Sequence, residues 1–180
     1  MAFFKHLKTV TKHRRLVRKL CFKCGLIWQG LTHDLSKFSR AEFGPGAKYY
    51  QGDKSPQVKE REIFGYSAAW LHHKGRNKHH FEYWVDYLHG KRVYVEMPAK
   101  YLAEMVCDRI AASKVYLKDK YTEAYPLEYF ERSTDKEGMN PKTCEDLHYF
   151  LTMLKEKGEK HTLKELKKFV KEHKNSNLAE

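Results

Sequence analysis

Along almost its whole length the chain spaces apolar residues three and four apart, the period of a helix with one buried face. Residues 3–21 set Phe3, Leu7, Val10, Val17 and Leu20 on one side and Lys5, Lys8, Lys12, Arg15 and Lys19 on another. Residues 25–33 read as a second, apolar helix. Ser39-Arg40-Ala41-Glu42 has capping-box spacing and opens a short third one, soon interrupted by Gly44-Pro45-Gly46. Ser55-Pro56 starts a helix expected to reach about His73, where Gly75-Arg76-Asn77 breaks it. Pro98 opens a long helix to about Tyr116, another spans 125–132, and Asn140-Pro141 starts one that ends near Gly158. Thr162-Leu163-Lys164-Glu165 repeats the capping-box spacing and begins a last helix, with Leu163, Leu166, Phe169 and Val170 inward. The tail 175–180 reads as solvated surface. Val93-Tyr94-Val95 is the one strand-like run, so a small hairpin is expected around Gly90 within 88–96. The expected fold is an all-α helical bundle forming a single domain over 1–180.

Composition narrows the setting. Hydrophobic content of 41% and aromatic content of 14% argue against disorder. No run of about 18 apolar residues exists, so no membrane span is expected. The N-terminus lacks the apolar segment and cleavage site of a secretory signal. Cys21 and Cys24 have C-x-x-C spacing, but Cys107 and Cys144 do not complete a second pair. Buried free thiols in a reducing cytoplasm are the expectation. The net charge is +12, and residues 1–24 hold eight basic residues and no acid. Such a face attracts nucleic acid, anionic lipid or a phosphorylated small molecule, although a solvated helix face reads the same way. It also resembles a mitochondrial targeting helix.

Four places set titratable side chains where a helix presents its core face. His13 continues the row Leu7, Val10, Val17, Leu20, with His6 one heptad earlier. His33 and Asp34 stand together inside an apolar stretch. Ile63, Tyr66, Trp70 and His73 form one stripe, with His72, His79 and His80 near its end. Tyr101, Met105, Asp108, Ala112 and Val115 form another, with an aspartate at its centre. Burying several imidazoles and carboxylates is costly unless a cation satisfies them. Neutral imidazole nitrogen and carboxylate oxygen suit Mn, Fe, Co, Ni or Zn. Adjacent helical residues point about 100° apart, so His33 and Asp34 converge only at a specially placed helix end, or if Asp34 bridges two ions.

This order of residues resembles the HD-domain superfamily of metal-dependent phosphohydrolases, helical proteins with an H…HD…D signature. Binuclear members add histidines between the HD pair and the last aspartate, where "WLHHKGRNKHH" (70–80) stands here. The resemblance covers roughly residues 6–116 and leaves a helical extension over about 125–174. The chain also looks like a group of small bacterial and phage proteins that carry the strings "HDLSKF" and "HHKGRNKHH", which bring no activity with them. The resemblance implies that His13, His33, Asp34 and Asp108 hold one divalent ion. If His73 and His80 bind a second, Asp34 is the bridge. Whether His6 or His13 ligates, and which of His72, His73, His79 and His80 do, is left open by sequence alone.

What the resemblance implies chemically is hydrolysis of a phosphoester by a metal-activated water. Lys37 is the expected phosphate contact. Lys74, Arg76, Lys78 and Arg109 are further candidate cations for a small phosphorylated substrate, expected to be a nucleotide. The uncoordinated member of His72 and His79 is the candidate leaving-group acid. Phe81, Tyr83, Trp84 and Tyr87 could stack on a base, though helix packing explains them more simply. Two other readings compete: an HD-like di-iron oxygenase, and a non-enzymatic protein that binds nucleic acid through residues 1–24.

Overall fold

Helix α6 (Ala99–Leu117) is apolar or small almost all round, and a helix of that kind has to be surrounded. In the computed structural model, which describes residues 2–173, it is the central element. Leu102, Ala103, Met105, Val106, Cys107, Ile110 and Ala111 are all buried. The row Ala103, Cys107, Ala111 keeps the helix surface low, so neighbours approach closely. Helix α1 (Ala2–Lys23) packs there through Val17, Leu20 and Cys21, and Cys24 Sγ lies 3.9 Å from Cys107 Sγ. Helices α7 (Tyr125–Arg132) and α8 (Pro141–Glu172) cover the other side with Leu127, Phe130, Leu147, Leu151, Leu154 and Leu166. The thiols are free, as expected.

The remaining elements wrap the opposite flank: α2 (Ile27–Thr32), a 3₁₀ turn (Leu35–Phe38), α3 (Arg40–Lys48), α4 (Pro56–Phe64), α5 (Ala68–Lys74) and a second 3₁₀ turn (Phe81–Trp84). Strands β1 (Val85–Leu88) and β2 (Lys91–Tyr94) form an antiparallel hairpin, with Val85 opposite Tyr94 and the His89-Gly90 turn at its tip. The chain is therefore all-α with one short hairpin. Asn140 ties the two flanks: its Oδ1 accepts from the Lys142 and Thr143 N–H groups while its amide donates to the Tyr94 carbonyl.

Local chemistry overrides several sequence expectations. The helix expected over 56–73 is two helices, because Gly65 turns left-handed (φ 77°) and Ser67 recaps by accepting from the Trp70 N–H. Ile63 and Tyr66 are consequently exposed, and the stripe drawn through them does not exist. Gly44-Pro45-Gly46 does not interrupt α3, which carries Pro45 within it. The capping groups are used otherwise: the Ser55 hydroxyl donates to Gln57, Ser39 makes no side-chain cap, and Glu42 turns inward. Thr162 lies inside α8, its hydroxyl donating to the Gly158 carbonyl. The restart there is at Gly158 (φ 79°), where the Glu123 carboxylate accepts from the Glu159 N–H. The apolar side chains of α2 face outward, against expectation. The tail 175–180 lies outside the described residues.

Candidate metal centre

The helix end at His33-Asp34 is built so that both side chains can turn to one place. Helix α2 stops at Thr32, His33 is extended (ψ 125°), and Asp34 is left-handed (φ 54°, ψ 27°). Aspartate is among the few residues that tolerate this conformation. Arg14 pins the reversal, donating from Nε to the His33 carbonyl (2.7 Å) and from a terminal nitrogen to the Leu31 carbonyl (3.1 Å). The 100° problem of adjacent helical residues is thus removed by leaving the helix.

Asp34 is 1% exposed and its two oxygens face different groups. Oδ2 lies 3.5 Å from His13 Nε2, 3.3 Å from His33 Nε2 and 2.6 Å from Lys37 Nζ. Asp108 Oδ1 closes that group, 3.0 Å from His13 Nε2 and 3.6 Å from His33 Nε2. Oδ1 lies 3.2 Å from His73 Nε2 and 3.5 Å from His79 Nε2, with His80 completing a second group. Within each group the donor atoms lie within 4.8 Å of one another. Two four-residue donor sets therefore share a single carboxylate.

A second layer fixes the ring protons. Glu104 Oε1 is 2.8 Å from His33 Nδ1 and 3.1 Å from His79 Nδ1, touching one histidine from each set. Glu42 takes His73 and His72 through their Nδ1 atoms, both at 2.7 Å. A carboxylate on Nδ1 holds the proton there, leaves the Nε2 lone pair toward the centre, and raises its basicity.

The charges are set by the cluster itself. Burial opposes ionisation of Asp34, but His33, Lys37 and His73 outweigh it and hold its carboxyl well below the usual range. Burial likewise opposes the charge on Asp108, and hydrogen bonds from His13 and His33 overcome it. His33 and His73 resist burial through Asp34 and sit above the ordinary imidazole value. His80 goes the other way, held well below by burial and by the neighbouring His79 and His73, so it stays a neutral donor.

The residues fit a divalent cation. The Nε2 atoms of His79 and His80 are buried without a hydrogen-bond partner, and Asp34 Oδ1 meets only imidazole nitrogens. Leaving such nitrogens unsatisfied beside a buried carboxylate is expensive, and a cation is what imidazole and carboxylate donors share.

His13, His33, Asp34, His73, His80 and Asp108 thus meet where the sequence places them. His6 does not join them: it packs against α3, where a Cβ on Gly46 would overlap its ring, and burial with Lys37 lowers its pKa to about 4. His72 faces Glu42. His79, one of the two candidates for leaving-group acid, belongs to the second donor set, so neither it nor His72 is placed for that role. Sequence periodicity does not single out Glu104, although it precedes Asp108 by one turn of α6. Glu42 was hidden by its capping-box spacing.

The centre opens into a cavity of about 600 Å³. Lys37 and Arg109 line it, the latter ion-paired to Asp135 at 2.7 Å. Lys74, Arg76 and Lys78 do not line it: Arg76 and Lys78 are exposed on the histidine loop, and Lys74 is half-buried at the end of α5. Arg76 donates to the His72 carbonyl and Lys78 stands over the Tyr83 and Tyr101 rings. Phe81 lines the cavity, Trp84 packs on the core, and Tyr83 and Tyr87 are exposed.

A protein family described only as a family of unknown function (DUF5662) matches residues 2–153. The chain belongs to that family. No curated protein and no solved structure matches it. The family match contains every donor and runs past the expected core boundary at about 116 into α8.

Proposed function

We propose that this chain is a metal-dependent phosphohydrolase of HD type, cleaving a phosphoester of a nucleotide or another small phosphorylated molecule in a reducing cytoplasm. The observation that carries the reading is the convergence of six donors, distant along the chain, on the two oxygens of Asp34. His13, His33, Asp34 and Asp108 would hold one divalent ion of the Mn-to-Zn series, and Asp34, His73, His79 and His80 a second. Such an ion supplies a water acidic enough to ionise near neutrality.

The chain's own groups do the rest. Lys37 anchors on Asp34 through one N–H and has others to offer phosphate oxygens in the cavity. Arg109, held by Asp135 and set over the Phe130 ring, is a second fixed cation at the wall. Fixed cations there stabilise the charge that gathers on phosphorus oxygens. Glu82 lines the same cavity, burial raises its carboxyl pKa, and its Oε2 has no hydrogen-bond partner. It can hold a proton for the leaving oxygen.

The test is elemental analysis of purified protein beside Asp34→Ala, followed by a phosphoester panel with the metals found. Metal and turnover present in the parent and lost together in the folded variant are expected. Equal metal in both proteins, or metal without turnover of any phosphoester, defeats the reading. The nitrogen-rich set of His73, His79 and His80 favours one alternative, a di-iron centre for oxygen chemistry. That outcome is recognised by iron content and an oxygen-dependent change in absorption.

A further inference from the structure

The first third of the chain presents an unusual surface. Residues 2–52 contain two acids, Asp34 and Glu42, and both are buried. The same stretch contains eleven Lys and Arg residues, all exposed except the half-buried Arg14 and Lys37. Among these cations α2 and the turn after it hold large apolar side chains in solvent: Ile27, Trp28, Leu31, Leu35 and Phe38, with Trp28 72% exposed.

Arg14 joins the two kinds of residue. Its guanidinium donates to the Leu31 carbonyl, lies 5.2 Å over the Phe38 ring, and is close enough to Arg18 for the two charges to repel. Phe22, one turn beyond Arg18, extends the patch: its ring rests against Gly30, where a Cβ would come within 3.0 Å of it. Basic and apolar groups are thus interleaved on one face, whose own stretch of chain carries no exposed anion; Lys23 at its edge pairs with Glu159.

We infer that this face docks on a bilayer surface rich in anionic headgroups, with the outer side of α2 in the interface. Apolar side chains flanked by cations suit that boundary, where headgroup phosphates meet acyl chains. Nucleic acid would satisfy the cations, but Ile27, Leu31 and Leu35 have no π-face on which a base could stack. A second copy meeting this face symmetrically would set the cations of one chain against those of the other. No helix among the described residues is long and apolar enough to cross a membrane, so the association is peripheral.

The experiment is co-sedimentation of the full chain with vesicles of phosphatidylglycerol and phosphatidylcholine, beside vesicles of phosphatidylcholine alone. Binding to the anionic vesicles only, weakening as salt rises, is expected. Trp28→Glu should lower it by about tenfold or more, and the pair Arg15→Glu with Arg18→Glu should abolish it. Tyr149→Glu, on exposed surface of α8, should leave it unchanged. Failure to bind anionic vesicles overturns the inference. So does binding that a folded Trp28→Glu variant retains in full, self-association through Trp28, or a preference for duplex DNA that ignores Trp28.

Discussion

Asp34→Asn asks whether one carboxylate serves both donor sets. Asparagine keeps one oxygen and replaces the other with an amino group, which donates and cannot ligate a cation. Lys37 decides which way it turns. The ammonium stands 2.6 Å from Oδ2 and would repel an amino group there, so the remaining oxygen stays with His13 and His33. The amino group then faces His73 and His79, and that set loses its oxygen donor. A unit charge at 4 Å is worth about 4 kcal/mol at an effective dielectric of 20, roughly a thousandfold in affinity, and a divalent ion loses more. The expected result is two equivalents of metal in the parent and at most one in the variant, held by His13, His33 and Asp108. The assay is elemental analysis after dialysis against graded chelator, with circular dichroism to confirm the fold. Two equivalents retained by the variant at parental affinity would refute the shared carboxylate.

Three further outcomes are expected. Glu104→Ala should weaken both metal sites by about 10- to 100-fold, because it releases one histidine from each; competition with a metal indicator measures this, and loss confined to one site would contradict the geometry. In metal-free protein, His33 and His73 have raised pKa values, so their stabilisation is complete below the ordinary 6.5 and disappears as pH climbs through the raised values. A bound ion must displace those protons, so the melting-temperature gain from added Mn²⁺ over chelator should be larger at about pH 8 than at about pH 6; the reverse order would count against these ligands. Gly46→Ala should cost about 1–3 kcal/mol in urea unfolding by driving a Cβ into the His6 ring, and a neutral result would mean that α3 and α1 separate easily.

The first donor set was legible because His13 and Asp108 replace apolar residues on long, regular helices, where period alone fixes the inward side. His73 was found for a reason that fails: the stripe through Ile63 and Tyr66 is broken by Gly65, and the ring is buried from a different helix. His79 lies in a loop, where no period says which way a side chain points. Glu42 and Glu104 act on the rings rather than at the centre, and sequence spacing does not encode such partners. Lys74, Arg76 and Lys78 neighbour the histidines in sequence, yet none lines the cavity, and the loop that turns the His79 ring inward leaves Arg76 and Lys78 in solvent. The outward face of α2 was missed because an apolar stretch carries no mark that separates a core from an exposed contact.

From residue 27 to residue 96, Ala69 is the only apolar side chain among the described residues that is fully buried. Nearly forty per cent of the chain thus rests on the core only through half-buried rings such as Phe81 and Trp84, and is fastened through His33, Asp34 and His79 to α1 and α6. Ions at that junction would work as cross-links between segments remote in sequence, closing long loops as a disulfide does. Chelation should then loosen this flank as a unit, with rapid amide exchange over α2–α5 while α6 and α8 stay protected.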